Sequence, residues 1–517
     1  MGYRVVWFKR DLRLADHEAL ASAARHGPVL CLYVVEPSLW AQPDAATQHY
    51  HFIRESLADL QRALRRLGGQ LWTVVGEVVD ILERLHRQAP FDALHSHEET
   101  GNAHTYARDL AVGRWCRQQG VAWHETPCSG VVRRLRQRDG WHKLWEARMT
   151  APQAECPPLR FFPPPWPAEP LPTPEALGLD PWDPPRRQRG GRSRAMDTLQ
   201  DFLELRCADY RGGISSPLTA PSTCSRLSAY LAYGCLSLRE VVQATRATLA
   251  ALPPQARRSR QGLQAFHSRL YWHCHFIQKL ESEPELEWRN VHRGYDGLRE
   301  HEWRAERFEA LQAGRTGWPM VDACVAMLRE TGWLNFRMRA MLVSVAAYPL
   351  WLHWREVGHW LARQFLDYEP GIHWSQMQMQ SGTTGINTTR VYNPIKQARD
   401  HDPHGQFVRQ WLPAMQRVPD GWLFEPWRMP PDLKSRLGVD WPQPLVDLEV
   451  ATRDAKRRIH ALRTQPAVRQ ARASIVERHG SRRGLQKAAA RTAAGNEAAA
   501  PHRAPPPSTG QQLTLDF

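Results

Sequence analysis

Five short strand-like runs, YRVVWF, VLCLYVV, LWTVV, DALHSH and VAWHET, all but DALHSH carrying β-branched and aromatic residues, recur between Tyr3 and about Pro127, and longer amphipathic segments such as TQHYHFIRESLADLQRALRRLG separate them. Strand-period runs alternating with helix-period runs specify a parallel, doubly wound sheet with helices on both faces. No GxGxxG follows the first run, so a dinucleotide site of the ordinary kind has no support. The FKRDLRL segment after that run reads as a basic, solvated turn opening a helix rather than a phosphate cradle.

The character of the chain then changes twice. From about Ser129 to Ser193 it is packed with Pro, Gly and Arg (PPLRFFPPPWPAEPLPTPEALGLDPWDPPRRQRGGRSR), which reads as a surface crossover with a boundary near 195. From Met196 to about Arg463 nearly every stretch has helical period, among them CSRLSAYLAYGCLSLREVVQATRATLA and GLQAFHSRLYWHCHFIQKLE. The expected organisation is therefore an α/β domain over 1–128, a linker over 129–195, an all-helical domain over 196–465 and a basic tail over 466–517, mainly α overall.

Within the helical part, Gly332 to Pro394 stands out. Leu334, Met338, Met341, Leu342 and Val345 have helical spacing and a second helical run follows Pro349, so two helices joined at a proline are expected. Beyond Asp367 and Glu369 the periodicity vanishes while Trp, Met, His, Gln and Thr remain abundant, which reads as a polar loop against a buried ligand. Arg337 and Arg339 lie in the first of these helices, where charges near an apolar core need partners. Upstream, Ser222, Thr223, Ser225 and Ser228 surround Arg226 before a helix that begins near Leu227. Such a cluster serves as a helix N-cap or as a diphosphate cradle, and by itself leaves both open.

Lys and Arg exceed Asp and Glu by 15, which favours a polyanionic partner such as nucleic acid. The nine cysteines stand singly with no CxxC pair, which argues against disulfides, zinc and an iron–sulfur cluster. No signal-type segment or membrane-length apolar run is visible, so a cytoplasmic, nucleoid-associated location without membrane contact is expected.

Four blocks in a fixed order, VVWFKRDLRL, CSRLSAYLAYGCLS, TGWPMVDACVAMLRETGWLNFRMR and VYNPIKQARDHDPHGQFVRQWLP, resemble the photolyase and cryptochrome family of flavoproteins. The resemblance implies FAD as cofactor, held noncovalently in the helical domain. It makes Cys224, Ser225, Arg226, Leu227 and Ser228 the diphosphate segment, with Cys224 where the family has threonine, and sets Tyr210 and Asn335 against the cofactor. Arg339 and Asp367 match the ion pair beside the flavin ring, and Glu369 matches a second acid near the ring or ribityl chain. His373 falls where many members place an asparagine facing flavin N5; a core histidine bonded to backbone is the alternative. The family's N-terminal domain often carries a folate or deazaflavin antenna, but Thr105 replaces the acidic residue of the folate segment.

The resemblance also implies a chain of three tryptophans that feeds electrons to photoexcited flavin. Trp354 matches its middle member, whereas the flavin-proximal position is Met377, so either Trp374 or Trp351 substitutes or photoreduction is slow. In the substrate pocket Trp272 matches the tryptophan that stacks on damaged bases, while Arg269, Phe336 and Met379 replace a glutamate, an asparagine and a second tryptophan. The implied function is blue-light repair of pyrimidine dimers in DNA by a monomeric lyase, and a signalling photoreceptor is the alternative. From about Gly480 to Pro507 the composition reads as a disordered arm. It ends in QLTLDF, Gln512 to Phe517, which resembles the peptide by which bacterial repair proteins dock on the sliding clamp.

Overall fold

The computed structural model describes residues 2–386 and 391–480; the arm and its terminal Gln512 to Phe517 lie outside the described residues. Strands β1 (Arg4–Phe8), β2 (Val29–Val35), β3 (Leu71–Val75), β4 (Ala93–His97) and β5 (Ala122–Thr126) form one sheet in the order β3-β2-β1-β4-β5. Every pairing is parallel, with Val6 opposite Cys31 and His95. All seven residues of β2 are buried, as a strand covered on both faces requires. Helices α1 (Glu18–His26), α2 (Thr47–Arg66), α3 (Val78–Gln88) and α4 (Ala103–Gln119) supply that cover. Val5, Trp7 and Leu32 pack with Leu82 of α3 and Val112 of α4 on one face. Val6, Phe8 and Cys31 point to the other, into a core shared with Leu57 of α2 and with Phe202, Leu263 and Phe266 of the helical domain.

The junction corrects the solvated-turn reading of FKRDLRL. Lys9, Asp11 and Arg13 are buried, and each meets a partner remote in sequence. Lys9 Nζ lies 3.2 Å from Asp109; Arg13 Nη1 donates to the Gly234 carbonyl at 3.0 Å. Arg10 Nε donates to Ala232 O at 2.8 Å, and its Nη2 donates to Tyr368 O at 2.9 Å. A run of charges that looks solvated in sequence is here the clasp between the domains.

The crossover is not structureless either. Helix α5 (Trp141–Thr150) buries Trp141 and Trp145 against Tyr271, with ring centroids 5.1 and 5.3 Å apart. The Pro-rich remainder runs beside the sheet, where the Val29 amide donates to Arg160 O and the Phe162 amide to Val29 O. Helix α6 (Arg192–Asp201) opens the helical domain, followed by α7 (Cys207–Gly213), α8 (Ser228–Ala232), α9 (Leu238–Ala251) and the 26-residue α10 (Arg257–Ser282).

Helices α11 (Pro319–Thr331), α12 (Phe336–Ala347) and α13 (Trp354–Gln364) follow; the turn between the last two contains Pro349, as the spacing predicts. The polar loop expected after Glu369 is instead helix α14 (Pro370–Ser381). Pro370 opens it at the first position, where a missing N–H costs nothing. The helix is enclosed by neighbours, so no polar face survives to give a readable period. Its polar side chains bond inward: Gln378 Nε2 donates to Leu286 O and Arg289 O, and its Oε1 accepts from the Val291 amide at 2.6 Å.

The start of the expected tail is also ordered. Helix α15 (Leu448–Thr464) leads into α16 (Pro466–His479), which buries Val468 and sets His479 Nε2 2.6 Å from Glu283. Sparse apolar spacing hid α16, because only Val468 and His479 of its fourteen residues are buried.

Candidate cofactor site

The residues assigned to cofactor binding come from four separated segments, and the fold brings most of them together. Arg339, on the second turn of α12, donates from Nη1 and Nη2 to the two carboxylate oxygens of Asp367, each at 2.9 Å. Its Nε donates to Leu334 O at 2.7 Å and its guanidinium lies 4.2 Å from the Phe365 ring centroid, so the fork is fixed from three sides. Burial alone would raise the Asp367 carboxyl; Arg339, a hydrogen bond from Ser228 and the charge of Arg226 outweigh it and hold it below the usual range.

The segment Cys224 to Ser228 sits against this pair. Arg206 pins its backbone, donating to the carbonyls of Cys224 and Ser225, and Gln188 Nε2 donates to Arg226 O at 2.9 Å. Held in this way, Arg226 takes φ +60°, a left-handed conformation uncommon for a side chain with a Cβ. Its guanidinium lies 3.9 Å from the Trp333 ring centroid, and burial brings its pKa down to about 10, with Asp367 opposing. Among the described residues Arg226 forms no ion pair, and the buried Asn335 Oδ1 accepts no hydrogen bond. A desolvated cation without its own carboxylate, beside hydroxyls and a free acceptor, fits an anionic, hydroxyl-bearing ligand such as a dinucleotide diphosphate.

Several assigned residues behave differently from the sequence reading. Ser222 Oγ and Thr223 Oγ1 both donate to Thr219 O, which spends those hydroxyls on their own helical turn. Asn335 Nδ2 donates to Ile214 O and Ser215 O, making this residue a brace for the segment after α7. Glu369 turns to the domain junction, 3.2 Å from Arg10 Nη2, where burial pushes its pKa up to about 7 against the opposing charge of Arg10. Arg269 is hydrogen-bonded to Tyr210. His373 is buried on α14, with Nε2 2.9 Å from Gly358 O; burial brings it down to about 4, so the neutral ring donates there and leaves Nδ1 as acceptor. That is the core-histidine alternative, and only Nδ1 is left to serve a ligand.

Trp272 is partly exposed on α10, with His275 at 4.8 Å and Phe276 at 5.8 Å between ring centroids. Phe336 and Met379 are also partly exposed, whereas Trp354 and Met377 are buried. Residues that sequence reasoning missed include Arg206 and Arg10. Arg206 lies in none of the segments singled out, and Arg10 lies in the FKRDLRL segment that reads as solvated; each bonds carbonyls brought close only by the fold.

Asp11, His17 and His97 gather at the domain junction with ligand atoms close enough for a metal. The Leu20 amide donates to His17 Nδ1 at 3.0 Å, and His17 Nε2 faces Asp11 at 3.0 Å. His97 Nδ1 meets the same carboxylate oxygen at 2.7 Å. Asp11 meets His97 and accepts from the Lys9 amide, whereas His17 Nε2, beside the same carboxylate, has no hydrogen-bond partner among the described residues; the trio anchors the loop after β1. Next to it, an interdomain cleft is lined by Arg10, Glu36, Asn102, Thr105, Arg108 and Tyr368. Thr105 Oγ1 donates to Asn102 O at 3.0 Å and so supplies no acid to that cleft.

Residues 266–461 match the family described as the FAD binding domain of DNA photolyase, and residues 4–138 match the DNA photolyase family. A deoxyribodipyrimidine photo-lyase of Escherichia coli is 29% identical over 475 residues, spanning 86% of this chain and 96% of the relative. A cryptochrome DASH of Gloeobacter violaceus is 28% identical over 472 residues, spanning 86% and 93%. A bacterial class III photolyase from Agrobacterium tumefaciens superposes with a TM-score of 0.75 at 25% identity, covering 90% of this chain and 98% of that one.

Proposed function

Since the chain belongs to the photolyase and cryptochrome family and takes FAD as its cofactor, we propose that it repairs pyrimidine dimers in DNA under blue light. The observation that carries this reading is the convergence of Arg226, Ser228, Arg339 and Asp367 on one site, in the same helical domain as the partly exposed aromatic Trp272. When bound, reduced FAD supplies light absorption and the electron that splits the dimer. The chain's own part is to bind and orient. Arg226 offers positive charge for the diphosphate, and the Arg339–Asp367 fork, held further by the Ser228 hydroxyl, presents a fixed, paired charge to the ring edge. Trp272 supplies a stacking face for an unstacked base, and Phe336 and Met379 add apolar wall. Arg269, engaged by Tyr210, does not take the place of a dimer-binding carboxylate.

No helix among the described residues is long and apolar enough to cross a membrane. The formal charge of +15 supports attraction to the DNA backbone. The interdomain cleft is the place for an antenna chromophore, which absorption of the purified protein beyond the flavin bands would reveal.

Binding to an oligonucleotide with one thymine dimer, compared with the intact oligonucleotide, tests the substrate assignment. The native protein should prefer the damaged strand at least tenfold, and Trp272→Ala should lose the preference while keeping FAD. Equal affinity for both strands would favour the signalling photoreceptor.

A further inference from the structure

Met377 is buried; the resemblance matches it to the flavin-proximal electron donor, and a thioether is much harder to oxidise than an indole. One turn earlier on α14, Trp374 is fully buried and its ring meets that of Trp354 edge-on, with centroids 5.9 Å apart at 72°. Its other ring neighbours are His373 at 4.9 Å and His359 at 5.1 Å. Burial lowers the pKa of both imidazoles, so neither adds positive charge near pH 7. The space for this indole is built: a Cβ on Gly358 of α13 would come within 2.5 Å of Trp374 Cζ3. Trp354 in turn borders a surface groove of about 420 Å³ with Trp288 and Trp303 in its lining.

Trp351 is the other tryptophan near this corner, and its surroundings oppose the loss of an electron. Arg299 and Arg458 lie 4.7 and 4.1 Å from its ring centroid. Glu302 pairs with Arg458 and also reaches the Trp351 side chain, but Arg299 forms no ion pair among the described residues, so two cations face one carboxylate and a positive charge on the ring would meet a net positive surrounding.

We propose that Trp374 stands in for Met377 as the first electron donor to photoexcited oxidised flavin, with Trp354 behind it and the groove as the point of entry. Trp374 gives one electron to the ring system and takes one from Trp354. A thiol in solution refills Trp354 at the groove, releases its proton to water, and is left as a thiyl radical that couples with a second to a disulfide. The proposal rests on the flavin reading but not on repair.

The test is transient absorption and photoreduction of the oxidised, FAD-loaded full chain with dithiothreitol, without DNA. Trp374→Phe should bind FAD normally and lose at least tenfold in photoreduction rate and tryptophan-radical yield, and Trp374→Phe with Met377→Trp should recover most of it. Trp351→Phe should change the rate less than twofold. Trp354→Phe should still form a tryptophan radical, now short-lived because it cannot move outward. A Trp374→Phe protein that photoreduces within twofold of the native one, or a Trp354→Phe protein that forms no tryptophan radical, overturns the route. These outcomes leave dimer repair untouched, whereas a folded chain that binds no FAD would overturn both readings.

Discussion

Replacing Arg339 by Ala removes one member of a bidentate pair whose other member, the Asp367 side chain, is only 5% exposed. Stripping the partner from a fully buried pair costs roughly 3–5 kcal/mol, because the remaining charge is left uncompensated. The Arg339 side chain is 22% exposed, and water and Arg226 reach the same carboxylate. Screening on that scale brings the cost to about 2–4 kcal/mol. Asp367→Asn in the same protein removes the orphan charge, so the double variant should be less damaged than the two single losses summed, by about 1–3 kcal/mol. Melting of the FAD-free protein and fluorescence titration with FAD separate the contribution to folding from that to binding. Arg339→Ala should lower the melting temperature and weaken FAD at least tenfold. A variant that purifies fully yellow with an unchanged melting temperature would refute the assignment of this pair to the site.

Four further outcomes follow. Burial pushes Glu36, Glu287 and Glu369 up to about 7, so between the ordinary carboxylate range and pH 7 the folded chain holds protons the unfolded chain has released, and stability falls as pH rises through that window. Glu369→Gln removes up to one proton from that difference, about 1.4 kcal/mol per pH unit of slope; melting curves that keep the native slope would contradict it. His373→Asn should alter which flavin radical accumulates under light, read from difference spectra, if Nδ1 faces the ring; an identical radical and lifetime places His373 in the core alone. DNA affinity should fall steeply with salt, with each lost phosphate contact lowering the log–log slope by about 0.9, and a flat salt response would argue against a backbone-binding surface. A peptide of residues 505–517 should bind the bacterial sliding clamp saturably, and Leu515→Ala or Phe517→Ala should abolish it; binding indifferent to both ends that assignment.

Legibility in the sequence tracked how each residue is covered. Strands β1 to β3 were readable as short apolar runs and the more polar β4 and β5 from their alternation with amphipathic helices, and the α12–α13 pair because its buried stripe has helical period and a proline marks its turn. Helix α14 was not, since neighbours enclose it and Gln378 satisfies backbone groups of another segment, so polarity stopped reporting exposure. The charges of FKRDLRL misled for a related reason. Lys9 finds Asp109 and Arg10 finds Tyr368 and Glu369, partners up to 359 positions away that no local window contains. In the candidate site, the resemblance selected Arg226, Arg339 and Asp367, and the fold brings them together. The turn of Glu369 towards Arg10 depended on packing between elements and had no sequence signal, whereas His373 against Gly358 O is the backbone-bonded alternative that the sequence left open.

The most direct measurement is the dimer content of single- and double-stranded DNA incubated with the reduced, FAD-loaded protein, followed over time in the dark and under blue light. The account predicts loss of dimers only in the light, with intact pyrimidines regenerated and more than one dimer reversed per protein molecule. Dimer levels that stay constant in both strand forms, in a protein shown to bind FAD and to photoreduce, would contradict it.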